Sequence, residues 1–357
     1  MLPRMSARTR RRPRVGLVLG AGGTLGGAWL AGALSAVSDG LGLRPTDAEI
    51  VVGTSAGSAI GTLAASGMDP AYLAAYACGG PLDGLDPGAA LPEDAGERRE
   101  AAIAFRLARR LPSLGPGSWR MALRGLTRPH RTPPGALLAG WLPRGPICSK
   151  PLRDGLRHLF GEEGWPEAPQ LWVVACDYGT GERVAFGRPG APPAQLPDAV
   201  AASCAIPGFY HPVSIAGRQY VDGGIWSVSN LDLLAGEGLD LVVCLNPISS
   251  EASVPRRWPA DHLAAAMRAA AGRDVRREAE TLRAAGTEVL LLQPGAEELA
   301  FMGLNLMRKE GRRELAELAA HNVLRDLRTD AAAPARALLG LRPASRRSPA
   351  GRRRAAA

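Results

Sequence analysis

The sequence predicts an α/β protein with three layers, in which a mostly parallel central sheet lies between two layers of helices. Short apolar, β-branched runs alternate with helical patterns from residue 14 onward. This alternation is typical of a parallel sheet that is covered on both faces. Three of the runs end in glycine-bearing turns, at 20–23, 53–57 and 222–224. Between residues 79 and 146 strand patterns are absent, which predicts a helical insertion near the site that these turns would form.

The first two predicted strands lead directly into the first two glycine turns. Residues 14–19 form a short apolar run before Gly20-Ala21-Gly22-Gly23, and a helix is predicted over 24–37 with Thr24 as its N-cap. Residues 49–52 form the second strand, and the helix after the second turn extends to Gly67. The two turns therefore occupy equivalent positions, each between a strand and a helix.

The same alternation continues to the end of the predicted domain. Strands are predicted at 171–176, 183–186, 213–215, 219–221, 239–245 and 287–292, and helices at 198–204, 260–285 and 297–327, the last with a break near Gly303 or Gly311. We therefore predict one domain over residues 14–328. Its insertion at 79–146 has helical candidates at 97–111 and 119–126, and we expect it to act as a lid.

Both ends of the chain are basic, whereas the predicted domain is not. The 357 residues carry a net charge of +9, but residues 1–14 and 341–357 each contain six Arg and no acidic residue. We expect a disordered basic arm over 1–13 and a disordered basic tail over 329–357. Such ends are compatible with peripheral contact with an anionic membrane. Because the remaining charge is near neutral, no nucleic-acid partner is expected.

The cysteines and the N-terminal apolar stretch indicate a cytoplasmic protein. The five cysteines are scattered and contain no Cys-x-x-Cys spacing, so neither a disulfide framework nor a zinc site is predicted. No cluster of metal-ligand residues is evident, and we expect neither a metal nor another cofactor. Residues 15–37 carry no charge, but their seven glycines argue against a cleaved leader.

The three turns together supply the groups that acyl transfer requires. Ser55 lies at the centre of Gly53-Thr54-Ser55-Ala56-Gly57, a Gly-x-Ser-x-Gly pattern between a strand and a helix, and is the candidate nucleophile. Asp222 begins the third turn and is the candidate general base. The oxyanion would be bound by backbone N–H groups of the first turn, and the small residues around Ser55 and Asp222 would allow close approach. The predicted oxyanion-hole residues are Gly20, Gly22 and Gly23; the supporting residues are Gly53, Gly57, Gly223 and Gly224.

These motifs, in this order, resemble those of the patatin-like phospholipase family. Its pattern comprises a Gly-x-Gly-Gly-x-(Arg/Lys)-Gly loop, a Gly-x-Ser-x-Gly elbow and an Asp-Gly-(Gly/Ala) turn. Residues 176–182 (CDYGTGE) and 202–210 (ASCAIPGFY) are similar to two further family segments. The resemblance implies a Ser–Asp dyad of Ser55 and Asp222 that hydrolyses phospholipid, lysophospholipid or related acyl esters. Leu25 departs from the pattern, because the family carries Arg or Lys at this position.

Three alternatives remain open from the sequence. A Ser–His–Asp hydrolase would need His262 or His321 as its base, after Asp177 or Asp222. A nucleotide-binding protein is suggested by the glycines that open the first helix, although Leu25 occupies the position where the dinucleotide fingerprint requires glycine. A non-catalytic or weakly active lipid-binding relative is suggested by the missing basic residue at Leu25.

Overall fold

The fold is described from a computed structural model of the chain. It describes residues 11–70, 73, 115–127, 133–162, 164–252 and 259–341. The predicted helix at 97–111 and most of the N-terminal arm lie outside these residues.

A single eight-stranded sheet forms the centre of the molecule, with five neighbouring parallel strands in the order β3-β2-β1-β7-β8. Strands β4, β5 and β6 pair antiparallel at the β3 end. The strands are β1 Val15–Leu19, β2 Ile50–Thr54, β3 Gln170–Asp177, β4 Arg183–Phe186, β5 Val213–Ile215, β6 Arg218–Asp222, β7 Leu241–Leu245 and β8 Glu288–Leu292. The predicted mixed α/β fold with a mostly parallel sheet is confirmed.

Ten α-helices in the described residues surround the sheet. They are α1 Gly23–Leu41, α2 Ala56–Ala65, α3 Trp119–Thr127, α4 Pro134–Ala139, α5 Lys150–Phe160, α6 Leu196–Ser203, α7 Pro259–Ala284, α8 Ala296–Met302, α9 Arg312–Asp326 and α10 Ala333–Leu338. Short 3₁₀ turns follow β6 at Gly223–Ile225 and precede β7 at Leu231–Leu234. The sequence predicted neither α4 nor α5, both of which begin with a proline in their first turn.

Successive side chains of the central strands point to opposite faces, and each face has its own core. On β1, Leu17 and Leu19 pack in a large cluster with residues of α1, α2, α6 and α9. Val18 packs on the other face with Leu234 and with Leu282 of α7. This alternation gives the three predicted layers, because an apolar strand flanked by two helical layers buries every one of its side chains.

Helix α1 is firmly anchored, and its N-terminus carries the first glycine turn. Its neighbour α9 packs so closely that a Cβ at Gly32 would overlap the carbonyl oxygen of Ala316. The buried indole of Trp29 donates a hydrogen bond of 2.8 Å to Glu298. The structure begins α1 at Gly23 with Gly22 as N-cap, so the predicted N-cap at Thr24 is wrong by two residues.

The described residues after 329 are ordered, contrary to the prediction. Residues 330–338 are helical, α10 contacts β8, and Ala332 and Ala335 are both about 1% exposed. The prediction of disorder from residue 329 is therefore wrong for the described residues up to 341. An alanine-rich segment carries little apolar surface per residue, yet alanine is the best helix former and fits a shallow site against the sheet.

Candidate active site

The register of β3 brings the ends of β2 and β6 together. Thr54, the last residue of β2, lies opposite Val174, and Asp222, the last residue of β6, lies opposite the next residue, Ala175. Strand β4 pairs with one edge of β3. Strands β2 and β6 share the opposite edge, where the end of β2 meets the end of β6. Ser55 follows Thr54 directly. Two residues far apart in the chain are thus brought together by adjacent positions of one strand.

Ser55 lies at a strained strand-to-helix turn. Its φ of 54° and ψ of −123° place a non-glycine residue in a region that L-amino acids rarely adopt, which is the geometry of a nucleophile elbow. The turn packs tightly on β1, since a Cβ at Gly57 would overlap the carbonyl oxygen of Leu19. A Cβ at Gly53 would lie 2.5 Å from the Cα of Ser58. The predicted elbow glycines are therefore sterically required.

Ser203 supports the elbow and was not predicted from the sequence. Its buried hydroxyl accepts a hydrogen bond of 2.9 Å from the N–H of Ser55 and donates one of 2.6 Å to the carbonyl of Val174. The Ser55 backbone is thereby tied to β3 through the last residue of α6. Ser203 lies in the 202–210 segment that resembles the family, so that segment was the available signal.

Asp222 is a buried carboxylate with an unusually high proton affinity. It is 4% exposed, and burial raises its pKa to about 6, although two hydrogen bonds to the carboxylate act to lower the pKa. One of these comes from the Ser55 hydroxyl, and the other from the N–H of Gly224, which donates to Oδ1 at 2.7 Å. A Cβ at Gly223 would clash with the carbonyl oxygen of Val174, so the turn can lie against β3 only with glycine.

The first glycine turn presents free N–H groups beside this pair. In the part of the chain that the structure describes, no protein acceptor binds the N–H of Gly22, Gly23 or Thr24. Gly23 has a φ of 61°, which favours glycine, and the N–H groups at a helix N-terminus favour negative charge. A Cβ at Gly224 would lie 3.3 Å from the Cβ of Ala21. The first and third turns are therefore in contact.

Gly20 has a different role from the one predicted. Its N–H donates to the carbonyl of Leu245 at 2.9 Å, and the N–H of Ala21 donates to Val228 at 2.7 Å. Both N–H groups already donate to backbone carbonyls, so we exclude Gly20 from the candidate oxyanion donors. The N–H of Ala56, the residue after Ser55, has no acceptor among the described residues and is a candidate that the sequence reasoning missed.

Hydrogen bonds connect the segment between β6 and β7 to the elbow strand, to the first turn and to α7. Asn230 has a left-handed φ of 55° and donates through its amide to the Thr54 hydroxyl at 3.0 Å. The carboxylate of Glu278 on α7 accepts hydrogen bonds from the Ser229 hydroxyl and from the N–H of Leu231. The segment between β6 and β7 thus contacts the elbow strand, the first turn through Val228, and α7. No sequence motif had indicated Asn230 or Glu278.

Leu25, the departure from the family pattern, is a core residue. Its side chain is 0% exposed and packs in the large cluster, while its N–H donates to the carbonyl of Leu306 at 2.9 Å. The Leu306–Met307 segment also lies 3.0 Å from the position of a Cβ at Gly23. In this chain the loop is therefore held by packing and backbone hydrogen bonds.

We expect Leu25→Arg to destabilise the protein by roughly 3–5 kcal/mol, because it places an unpaired guanidinium in an apolar core. Leu25→Met is the matched control and should cost less than about 1.5 kcal/mol, since it nearly conserves volume. Urea-induced unfolding of both variants measures the difference. Equal stabilities would show that the side chain at this position reaches water.

The other sequence candidates have different surroundings. His262 on α7 and His321 on α9 are exposed. Asp177 accepts hydrogen bonds of 2.8 Å from the N–H groups of Gly179 and Thr180 and forms an ion pair with Arg218. Asp177 thus stabilises its own turn. Within the described residues there is no group of three or more His, Cys, Asp or Glu that could hold a metal ion.

The sequence model of the patatin-like phospholipase family matches residues 17–235, which include all three turns. The chain belongs to this family. Membership in this family supports the assignment of the protein as a lipid acyl hydrolase. Uncharacterized NTE family proteins of Mycobacterium bovis and Mycobacterium tuberculosis are 31% identical over 113 residues. These residues cover 31% of this chain and 30% of the relatives, so the match spans less than a third of their length.

Two solved structures are similar to this patatin-like chain. VipD from Legionella pneumophila has a TM-score of 0.42 and 14% sequence identity, with 88% of this chain and 67% of VipD covered. The type III effector protein ExoU has a TM-score of 0.35 and 19% identity, with 88% of this chain and 53% of ExoU covered. Among the described residues of the present chain, no helix has the length and apolarity needed to cross a membrane.

Proposed function

We propose that the protein is a serine acyl hydrolase of the phospholipase A or lysophospholipase type, which uses Ser55 as nucleophile and Asp222 as general base. The observation that carries this proposal is the head-to-head register of β2 and β6 on β3, which places a strained serine beside a buried carboxylate. The substrates would be phospholipid, lysophospholipid or related acyl esters. No cofactor enters the proposed reaction.

The proposed reaction has two steps. Asp222 accepts the proton of the Ser55 hydroxyl while the oxygen attacks the ester carbonyl. N–H groups of Gly22, Gly23 and Ala56 stabilise the oxyanion. The C–O bond to the alcohol then breaks, and the alcohol leaves with the proton held by Asp222. In the second step Asp222 removes a proton from water, and the water oxygen attacks the acyl carbonyl. The bond between the acyl carbon and the Ser55 oxygen then breaks, Asp222 returns the proton to Ser55, and the fatty acid leaves.

The raised pKa of Asp222 supports its role as a base. A carboxylate with a pKa of about 6 is ionised at neutral pH, yet it holds a proton far better than an ordinary aspartate does. Exposed His262 and His321 would have to reach this buried pair for a Ser–His–Asp triad to form. The buried position of Leu25 accounts for its apolar character.

Labelling with a fluorophosphonate probe tests the nucleophile. We expect the probe to modify wild-type protein at Ser55, and Ser55→Ala to lose both labelling and fatty-acid release from phospholipid and lysophospholipid. Ser214→Ala is the matched control, because Ser214 is exposed on β5 and should change neither result. Fatty-acid release that survives in Ser55→Ala would refute the dyad. Absence of hydrolysis in the wild type across both lipid classes would favour the non-catalytic alternative.

A further inference from the structure

Helices α3 and α4 place a set of large apolar side chains on the outside of the protein. Monomeric soluble proteins rarely expose contiguous apolar patches of this kind without a partner. Six residues define what we call the aromatic surface: Trp119 (60% exposed), Leu123 (55%), Leu138 (68%), Trp141 (45%), Leu142 (44%) and Phe209 (40%). They are six of the ten large hydrophobic residues found exposed in the described part of the chain.

Contacts between these residues make the surface continuous. The rings of Trp119 and Trp141 meet edge to face with centroids 6.1 Å apart. Leu123 lies one turn after Trp119 on the same face of α3. Leu142 lies 3.5 Å from the position of a Cβ at Gly208, the residue before Phe209. Backbone hydrogen bonds from Gly117 to Leu142 and from Ile147 to Phe209 fix these segments together.

The inner side of the same helices packs beside the catalytic turn. Met121 of α3 and Ala136 of α4 are buried against Val221, which precedes Asp222. A Cβ at Gly135 would lie 2.5 Å from the carbonyl oxygen of Ile225, in the 3₁₀ turn that follows Asp222. The aromatic surface is therefore the outer side of two helices whose inner side packs against β6 and the 3₁₀ turn on either side of Asp222.

The sequence segment that carries α3 and α4 is rich in arginine. Residues 101–150 contain eight Arg, one Lys and no Asp or Glu, whereas a chain with 34 acidic residues in 357 would carry about five in such a stretch. Among the described residues, Arg120 is exposed beside Trp119. Arg124 forms an ion pair with Glu182 from outside the stretch, and Arg144 donates to Gly117 and Gln219. In the described residues, the surface thus combines exposed tryptophans with the exposed Arg120, within a sequence segment that has an excess of Arg.

We propose that the aromatic surface docks the protein on an anionic phospholipid bilayer. Tryptophan is enriched at membrane interfaces, because its ring is apolar and its N–H remains solvated. Basic residues near an anionic leaflet add electrostatic attraction to the bilayer. Docking would hold the candidate dyad at the lipid surface. That consequence for activity rests on the proposed function, whereas the docking itself does not.

Vesicle binding of the full chain carrying Ser55→Ala tests the proposal without lipid turnover. We expect co-sedimentation with vesicles of phosphatidylcholine and phosphatidylglycerol, and at least about tenfold weaker binding to phosphatidylcholine alone, since the attraction is partly electrostatic. Adding Trp119→Ala and Trp141→Ala should weaken binding to the anionic vesicles by about tenfold or more. Brominated lipid should quench tryptophan fluorescence in the parent and much less in this variant.

Matched controls separate the surface from other parts of the chain. Met267→Ala removes an equally exposed apolar residue from α7, and it should leave vesicle binding unchanged. Arg120→Ala should weaken binding, whereas Arg313→Ala, also exposed, should not. Thermal unfolding confirms that each variant is folded.

Three results would overturn the docking proposal. Unchanged binding of the double tryptophan variant would assign docking to the basic ends of the chain. Equal binding to neutral vesicles would remove the electrostatic argument. Concentration-dependent dimerisation that both tryptophan substitutions abolish, without vesicle binding, would show that a second copy covers the surface. Vesicle binding by a wild type that hydrolyses no lipid would contradict the proposed function alone.

Discussion

Asp222→Asn is expected to abolish most acyl-ester hydrolysis and at the same time to stabilise the fold at neutral pH. Asparagine keeps the size of the side chain and an oxygen that can accept from the Gly224 N–H, but it cannot take a proton from Ser55. Loss of a general base typically lowers the rate by roughly 10²–10⁴-fold. Initial rates of fatty-acid release at saturating substrate measure this loss directly.

The stabilisation follows from the sign of the pKa shift. Burial raises the pKa of Asp222 from its ordinary 3.8 to about 6, so the folded state favours the protonated form. The stability that this proton contributes is fully present below about pH 4 and is lost as the pH rises through about 6. A rise from 3.8 to about 6 corresponds to roughly 3 kcal/mol. Asparagine mimics the neutral carboxyl and avoids this cost at every pH.

Stability measured at two pH values therefore distinguishes a base from a structural carboxylate. We expect Asp222→Asn to be more stable than wild type at pH 8, by up to roughly 3 kcal/mol, and nearly equal to it at pH 4. Wild-type kcat/KM should rise as the pH passes about 6. A variant that is inactive because it is less stable at both pH values would contradict the catalytic assignment.

Asp240→Asn is a control at a carboxyl group whose pKa is shifted in the opposite direction from that of Asp222. Asp240 accepts a hydrogen bond of 2.7 Å from the N–H of Arg14, and this contact holds the pKa of its carboxyl below the ordinary value. Its contribution to stability is present above the ordinary pKa and is lost as the pH falls. Asp240→Asn should therefore leave hydrolysis unchanged and give no stabilisation at pH 8.

The fold was predictable because its signals are local. β-branched runs bounded by glycines gave the strands, and the break between α8 and α9 was visible at Gly303 and Gly311. The tail was misjudged, since the burial of Ala332 and Ala335 depends on a site provided by the rest of the protein. Composition alone does not distinguish an alanine-rich helix that finds such a site from one that does not.

The site was only partly predictable, because its geometry depends on register and on long-range contacts. The sequence indicated Ser55 and Asp222 as residues at strand ends, but their meeting depends on consecutive positions of β3. Ser203 and Asn230 contact the elbow from segments distant in sequence. The hydrogen bond from the Gly20 N–H to the carbonyl of Leu245 likewise depends on how β1 pairs with β7. Their roles as parts of one catalytic site remain predictions.

Gly22→Ala is expected to lower kcat by about 10²–10³-fold, the usual cost of losing an oxyanion donor. The φ of Gly22 is −173°, which any residue adopts. We therefore expect the loss of activity to come from steric overlap of the added Cβ and not from backbone strain. An added Cβ would lie 2.6 Å from the Cα of Gly26 and 2.6 Å from the Cγ of Pro247. The first turn must then shift, which moves the N–H groups of Gly22 and Gly23 away from the Ser55 side chain.

Gly27→Ala is the matched control on the same helix. Its Cβ would meet only the Cβ of Ala56, at 3.9 Å, so the substitution fits without movement and should stabilise α1 by up to about 1 kcal/mol. Hydrolysis should be unchanged in this variant. For Gly22→Ala, kcat should fall far more than KM changes, because the oxyanion exists only in the transition state and the intermediate. Full activity in a folded Gly22→Ala protein would show that the oxyanion donors lie elsewhere, and the N–H of Ala56 would then be the first to examine.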